Sequence, residues 1–224
     1  MKRVFIIGML LILVLGLSFY AAADENKVVL HETFEDAVVG EGSIQYYKLD
    51  DMSIKEYPKE SEDYALRWQN SKAVGLALDE TVTISKNKKL VAIAKVRWLG
   101  NGTTRHVFHN IGLSNEKVGY AMRIKIGSGV GALLKYSEVP WQRSIIKPDL
   151  GAPSYDFGEI FTLRLEWDYE TITAYVCGVN SGCVEDDANN NITVDRLFLS
   201  NWYHESVDVK DVLVEEVKVE VITK

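Results

Sequence analysis

Apolar and polar side chains alternate along most of this chain, and no long stretch shows the spacing of an amphipathic helix. The alternation is clearest in residues 64–68, 90–98, 120–126 and 161–167, and it returns in the valine-rich end from residue 212. A period of two residues is typical of strands that bury one face. The pattern therefore predicts an all-β chain.

Turn-forming residues separate the alternating segments. Glycine, asparagine and aspartate gather at 100–102, 127–129, 149–151 and 186–191. Short strands between regular turn signals are typical of an antiparallel sandwich or barrel. No repeat, linker or low-complexity tract divides the chain. We therefore expect a single antiparallel two-sheet β-sandwich of the jelly-roll type.

The first residues have the composition of a secretory signal. Lys2 and Arg3 precede an apolar run of about 14 residues from Val4 to Leu17, and Ala21–Ala23 supply small residues for cleavage. A helix that crosses a bilayer needs about 20 apolar residues. We expect a signal peptide at 1–23 and the sandwich at 24–224, with an uncleaved anchor as the alternative. The protein is predicted to be secreted, extracellular or at a cell surface, with no membrane span after signal cleavage.

The formal net charge of the chain is −7. A protein that binds nucleic acid in general needs clustered positive charge to replace counterions. The acidic balance therefore argues against nucleic acid as a partner.

The chain has two cysteines, Cys177 and Cys183. In an oxidising compartment such a pair favours a disulfide that closes a small loop. Two free thiols are the alternative. A zinc site would need two further ligands at suitable spacing, and none is evident.

Three segments resemble the concanavalin A-like lectin and glucanase superfamily, which includes laminin-G-like domains and many carbohydrate-binding modules. They are Glu32–Asp36 with Gly40, the hairpin-like stretch Phe161–Gly178, and the closing stretch Leu197–Val214. The resemblance implies a concanavalin-like jelly roll whose last strand lies near its first. It does not specify a ligand, because this fold carries many functions.

One acidic motif raises the question of catalysis. Glu166, Asp168 and Glu170 alternate, and paired carboxylates on one strand resemble the site of a laminarinase-like glycoside hydrolase. Two of the three fall where the pattern predicts a hairpin turn, so we interpret the motif as a solvated hairpin tip. No other arrangement in the chain indicates a catalytic centre.

Polar and aromatic residues suggest where a sugar would bind. Long polar side chains alternate with apolar ones at Arg67, Gln69, Arg97 and Arg123. If these strands share a sheet, they form a polar face with donors for hydroxyl, carboxylate or sulfate groups. An ordinary solvated face is the alternative. Trp141 and Trp202 lie near segment ends, where an indole ring can stack on a sugar. Packing of these residues onto the edge of the sandwich is the alternative.

Carboxylates near the two ends of the domain suggest a structural calcium site. Glu32, Glu35, Asp208 and Asp211 would supply oxygen ligands if the ends meet. No other cofactor is predicted.

Three functions follow from these features. The first is a secreted, lectin-like module that binds a glycan or polysaccharide without catalysis. The second is a structural subunit of an extracellular or cell-surface assembly, with the valine-rich end as an edge strand or an exchanged strand for self-assembly. The third is a glycoside hydrolase that uses Glu166 and Asp168.

Overall fold

The chain is described here from a computed structural model. The described residues are 26–39, 41–47, 52–56, 63–68, 73–99, 107–125, 130–140, 142–151, 158–185, 191–203 and 211–224. They form fifteen strands in two antiparallel sheets, and none of them lies in a helix. The predicted all-β jelly-roll sandwich is confirmed. The predicted signal peptide lies outside the described residues.

Sheet A has eight strands: β1 (Lys27–Glu32), β3 (Met52–Glu56), β4 (Tyr64–Trp68), β6 (Lys88–Leu99), β11 (Ile160–Trp167), β12 (Thr171–Val176), β13 (Val179–Glu185) and β15 (Asp211–Thr223). Their order is β13-β12-β11-β6-β15-β4-β3. β1 also pairs with β15, at residues that follow the segment paired with β4.

Sheet B has seven strands: β2 (Ile44–Tyr47), β5 (Ala73–Thr83), β7 (Val107–Ser114), β8 (Gly119–Lys125), β9 (Val130–Glu138), β10 (Gln142–Gly151) and β14 (Thr193–Tyr203). Their order is β10-β9-β8-β7-β14-β5-β2.

The main core lies between the two sheets and is built by the alternating positions. On β11, Phe161, Leu163, Leu165 and Trp167 are buried, while the residues between them are partly exposed. Trp167 meets Tyr120 of sheet B edge to face, with ring centroids 4.7 Å apart. Each large apolar side chain buried in this way stabilises the fold by about 1.5–3 kcal/mol.

Two expectations about strand pairing are confirmed. The segment Phe161–Gly178 forms the β11–β12 hairpin and its following turn, with Leu163 paired to Val176 and Trp167 to Ile172. The first strand, β1, pairs with the last, β15. The ends of the sandwich therefore close against each other as the resemblance implies.

The expectation that the valine-rich end forms an edge strand is wrong. β15 pairs with β6 along one side and with β4 and β1 along the other. Val214, Val217 and Val219 are fully buried. Pairing on both sides leaves β15 no free edge for a second copy of the chain.

The predicted disulfide is also wrong in this structure, where Cys177 and Cys183 are free and exposed. Cys183 lies opposite Thr173, while Cys177 follows the last residue of β12. Four residues of strand span about 13 Å, and a disulfide needs Cα atoms within about 7 Å. Cys177 and Gly178 form a two-residue turn with positive φ, so the chain returns as a hairpin that separates the two thiols.

None of the described residues belongs to a helix with the length and apolar character that a membrane span requires.

Candidate functional site

The sandwich divides the residues predicted to form one polar face. Arg67 and Arg97 lie in sheet A, where both pair with Leu213, whereas Arg123 lies in sheet B. Trp202 belongs to β14 of sheet B, with its backbone opposite Phe108. Gln69 and Trp141 lie outside the described residues. The prediction of one shared face is therefore wrong, and the role of each residue in sugar binding stays a prediction.

The outer face of sheet A carries charges that neutralise one another. The Arg97 guanidinium lies 2.8 Å from Glu215 and also donates to the Gly158 carbonyl, at 2.9 Å. Lys95 lies 2.5 Å from Glu216, and the His31 imidazole lies 3.1 Å from the same carboxylate. An open depression of about 340 Å³ lies beside these pairs. Among the residues that line it, Lys95 and Arg97 are paired with Glu216 and Glu215.

The electrostatic environment of Glu216 reflects this pairing. The hydrogen bond from Lys95 lowers the pKa of the Glu216 carboxyl, and His31 acts in the same direction against the opposing effect of partial burial. Glu216 therefore serves as the charged partner of Lys95 and His31 in sheet A.

The acidic motif forms ion pairs with lysine and arginine. Glu166 lies 3.1 Å from Lys89 and also pairs with Arg164. Asp168 lies 2.5 Å from Lys224 and begins the β11–β12 turn through a backbone bond to Thr171. The two carboxylates thus belong to separate ion pairs.

The predicted calcium ligands do not converge among the described residues. Glu32 accepts hydrogen bonds from the Phe34 amide, at 2.9 Å, and from the Ser43 hydroxyl, at 2.8 Å. Glu32 and Glu35 line different depressions. Asp208 and the side chain of Asp211 lie outside the described part of the chain, within which no three potential ligands group together. The calcium site stays a prediction.

The outer face of sheet B differs from that of sheet A in the residues that it presents. The backbone pairing of its strands shows which residues form rows across the sheet. One row across the sheet consists of Ile145, Leu134, Ala121, Gly112, Phe198 and Gly75. The next row consists of Ala132, Arg123, Asn110, Ser200 and Ala73. An apolar row thus lies directly beside a row with three polar residues at its centre.

Small residues in the middle of this face allow aromatic rings to lie across the sheet. A Cβ atom on Gly112 would come within 2.3 Å of the Phe198 ring. Tyr136 of β9 meets Phe198 of β14 edge to face, with centroids 5.0 Å apart. Three strand spacings of about 4.8 Å separate these strands, so the two rings together bridge β8 and β7. With Ala121, Ala132, Leu134 and Val139 they form a second buried apolar cluster.

The polar row beside this cluster is held by hydrogen bonds. The Arg123 guanidinium donates to the Asn110 side-chain carbonyl, at 3.1 Å, and the Asn110 amide donates to the Ser200 hydroxyl, at 2.7 Å. Asn110 and Ser200 are buried, whereas Arg123 is only partly so. The chain of bonds therefore fixes a cationic group at the surface in one orientation.

Tyr136 links the aromatic cluster to the charged groups. Burial raises the pKa of the Tyr136 phenol, although the positive charges of Arg143 and Arg123 act against this rise. Its hydroxyl makes no hydrogen bond of good geometry with a described residue, but the Arg143 and Ser200 side chains lie within reach of it. The phenol therefore stays neutral and directs its hydroxyl toward the polar groups of this face.

Sequence reasoning found Arg123 but missed the residues around it: Asn110, Tyr136, Arg143 and Ser200. Asn110 and Ser200 do occupy polar positions next to apolar ones, Ile111 and Leu199. The alternation signals that they face away from the core, but it cannot show that β7, β8 and β14 are neighbours.

No protein-family profile matches the chain, and no curated protein sequence matches it. Several solved structures are similar to it. An endo-1,3-β-glucanase from Streptomyces sioyaensis is similar with a TM-score of 0.56 and 11% identity over 91% of this chain and 99% of that one. The κ-carrageenase from Pseudoalteromonas carrageenovora has a TM-score of 0.56 and 11% identity over 92% and 99%. A family 16 endo-glucanase from Bacteroides ovatus has a TM-score of 0.51 and 15% identity over 89% and 97%.

At these identities the similarity shows the fold alone. The chain is a concanavalin-like jelly roll, as its three sequence segments suggested. This architecture is one on which proteins that act on polysaccharides are built.

Proposed function

We propose that this chain is an exported carbohydrate-binding protein without catalytic activity, and that its sugar site is the outer face of sheet B. The observation that carries the proposal is the hydrogen-bonded row Arg123–Asn110–Ser200 beside the Tyr136–Phe198 cluster. Asn110 and Ser200 are buried and hold the partly exposed Arg123 guanidinium in place. A group held in this way loses little freedom when it binds a sugar hydroxyl.

The chemistry of the described residues favours binding over hydrolysis. A glycoside hydrolase needs two carboxyl groups about 5–9.5 Å apart that flank the scissile bond. The row of Arg123 contains no carboxylate, and its ladder neighbours are alanine, asparagine and serine. Glu166 and Asp168 belong to sheet A or its turn and form ion pairs there.

The similar solved structures support a sugar as the class of ligand. They include a 1,3-β-glucanase and a carrageenase, both of which act on polysaccharides. We infer from the predicted signal segment that binding takes place outside the cytoplasm.

The test is a glycan array probed with residues 24–224 as the parent protein and with two variants of it. Arg123→Ala removes the cation of the sheet B row, and Arg97→Ala removes a matched arginine from sheet A. We expect selective binding that falls at least tenfold in Arg123→Ala, because a charge-assisted contact is lost, and that survives in Arg97→Ala. A blank array from folded protein, or loss in Arg97→Ala alone, would contradict the proposal.

A further inference from the structure

Each sheet ends in strands that pair with a described neighbour on one side only, and most of these edges hinder pairing with a second chain. Short length, register irregularities, proline and charged side chains all have this effect. β2 has four residues, and β10 has three register irregularities and contains Pro148. β1 and β3 carry charged residues, among them Lys27, Glu32, Lys55 and Glu56. These four edges are therefore protected.

β13 has the least protection of the described edges. It has seven residues, contains no proline, and has Glu185 as its one charged residue. Its register irregularity lies at Ser181, so Gly182–Glu185 form a regular run opposite Thr171–Ala174 of β12. No other described strand of sheet A pairs with β13, so no described strand occupies the outer edge of this run.

β10 of sheet B supports β13 from the core side of the sandwich. A Cβ atom on Gly182 would lie 2.6 Å from the Leu150 side chain and 3.0 Å from that of Lys147. This close contact holds the backbone of β13 in place. A strand that is fixed in this way loses little conformational freedom when a partner strand pairs with it.

Cys183 lies within the regular run of β13 and is exposed. It pairs with Thr173, whose neighbours Ile172 and Ala174 are buried, so its side chain lies on the outer face of sheet A. Cys177 follows the end of β12, and the four strand residues that separate it from Thr173 span about 13 Å. A disulfide needs Cα atoms within about 7 Å. A disulfide at Cys183 therefore requires a thiol from another molecule.

We propose that β13 is an interface at which two copies of this chain pair edge to edge, antiparallel, and that a disulfide between their Cys183 residues links them. A twofold axis through Cys183 places this residue opposite itself. Residues directly opposite in an antiparallel pair have Cα atoms about 4.5–5.5 Å apart, which lies within the disulfide range of about 4.4–6.8 Å. The interface belongs to sheet A, so the inference does not depend on sugar binding by sheet B.

The disulfide forms by thiol–disulfide exchange with a small disulfide such as oxidised glutathione. The Cys183 thiolate of one copy attacks a sulfur of oxidised glutathione and releases one glutathione thiolate. The Cys183 thiolate of the second copy then attacks the Cys183 sulfur of this mixed disulfide and releases the second glutathione. Two cysteine thiols are thus oxidised to one disulfide, oxidised glutathione is reduced to two thiols, and the two protons pass to these thiols.

The experiment compares the parent protein with Cys183→Ser and with the matched control Cys177→Ser. Both cysteines are exposed and lie in the same hairpin, so the comparison separates strand pairing from random encounters of surface thiols. Each folded protein is incubated in a glutathione redox buffer, and the remaining thiols are alkylated. Non-reducing electrophoresis and intact mass spectrometry follow the disulfide-linked dimer. Hydrogen exchange compares the amides of Gly182–Glu185 in the dimer and in the reduced monomer.

We expect Cys177→Ser, which keeps Cys183, to form the linked dimer at least tenfold faster than Cys183→Ser, because strand pairing raises the effective concentration of the Cys183 thiols. Dithiothreitol should return the dimer to monomer. Amides of the run Gly182–Glu185 should exchange more slowly in the dimer, since new backbone hydrogen bonds cover the edge.

The proposal is overturned if the two single-cysteine variants form dimers at equal rates, if no folded variant forms a dimer, or if exchange in β13 is unchanged in the dimer. It is also overturned if the parent protein stays a monomer that is lighter by two hydrogen atoms, because this mass shows a disulfide between Cys177 and Cys183 within one chain.

Discussion

Gly112 lies under the ring of Phe198 on the outer face of sheet B. The phenylalanine ring occupies the space that any side chain at residue 112 would need, and the Tyr120 carbonyl lies close on the other side. This contact lets Phe198 meet Tyr136 and support the polar row. The sequence shows a glycine in a strand, which indicates a close approach, but not which residue approaches it.

Gly112→Ala should lower the free energy of unfolding by about 2 kcal/mol, since the added Cβ would lie within 2.3 Å of the Phe198 ring. The measurement is urea unfolding followed by fluorescence. Gly151→Ala is the control, because no atom of the described residues lies within 4 Å of its new Cβ; its effect should stay within about 0.5 kcal/mol. Equal effects of the two substitutions would show that Phe198 does not cover Gly112.

At the scale of elements, alternation predicts strands well and their neighbours poorly. The buried residues of β11 follow the expected period, and Trp167 at the end of this strand is fully buried. The valine-rich end has the same pattern, yet β15 lies inside the sheet because pairing partners come from distant parts of the chain. A local pattern of alternation therefore does not show whether a strand lies at the edge of a sheet or inside it.

Glu216, which follows an irregularity in β15, makes a testable contribution to stability. The register of β15 against β6 shifts between Val214 and Glu216, and Glu216 pairs with Lys95 and His31. Because the pKa of the Glu216 carboxyl is lowered in the folded state, the folded protein binds this proton less readily than the unfolded chain. The resulting stability is present above the unfolded pKa of about 4.3 and is lost as pH falls through the folded pKa.

Glu216→Gln should therefore lower the free energy of unfolding by about 0.5–1 kcal/mol at pH 7, as is typical of partly exposed ion pairs. The difference from the parent protein should shrink toward zero in acid, once the Glu216 carboxyl is protonated in the folded protein as well. A double-mutant cycle with Lys95→Gln in urea, at pH 7 and in acid, isolates the pair. A coupling energy that is the same at pH 7 and in acid would refute the ionic contribution.

In the whole molecule, the two outer faces hold different sets of charged side chains. On sheet A, Arg97 pairs with the carboxylate of Glu215, whereas on sheet B Arg123 donates to the side chain of Asn110 and Arg196 pairs with Asp195. Sequence analysis predicted the sandwich and named arginines from both faces, but it merged them into one site. Sheet membership depends on long-range pairing, and the ladders that bring Asn110, Arg123 and Ser200 together join residues up to 90 positions apart.

NMR mapping of the bound ligand shows whether a sugar binds the outer face of sheet B. Isotopically labelled protein is titrated with an oligosaccharide derived from the glycan that binds on the array, and the chemical shifts of the amides are followed residue by residue. We predict the largest shifts at Asn110, Arg123 and Ser200. Largest shifts at Lys95, Arg97 and Arg164 would show that the sugar binds the outer face of sheet A instead.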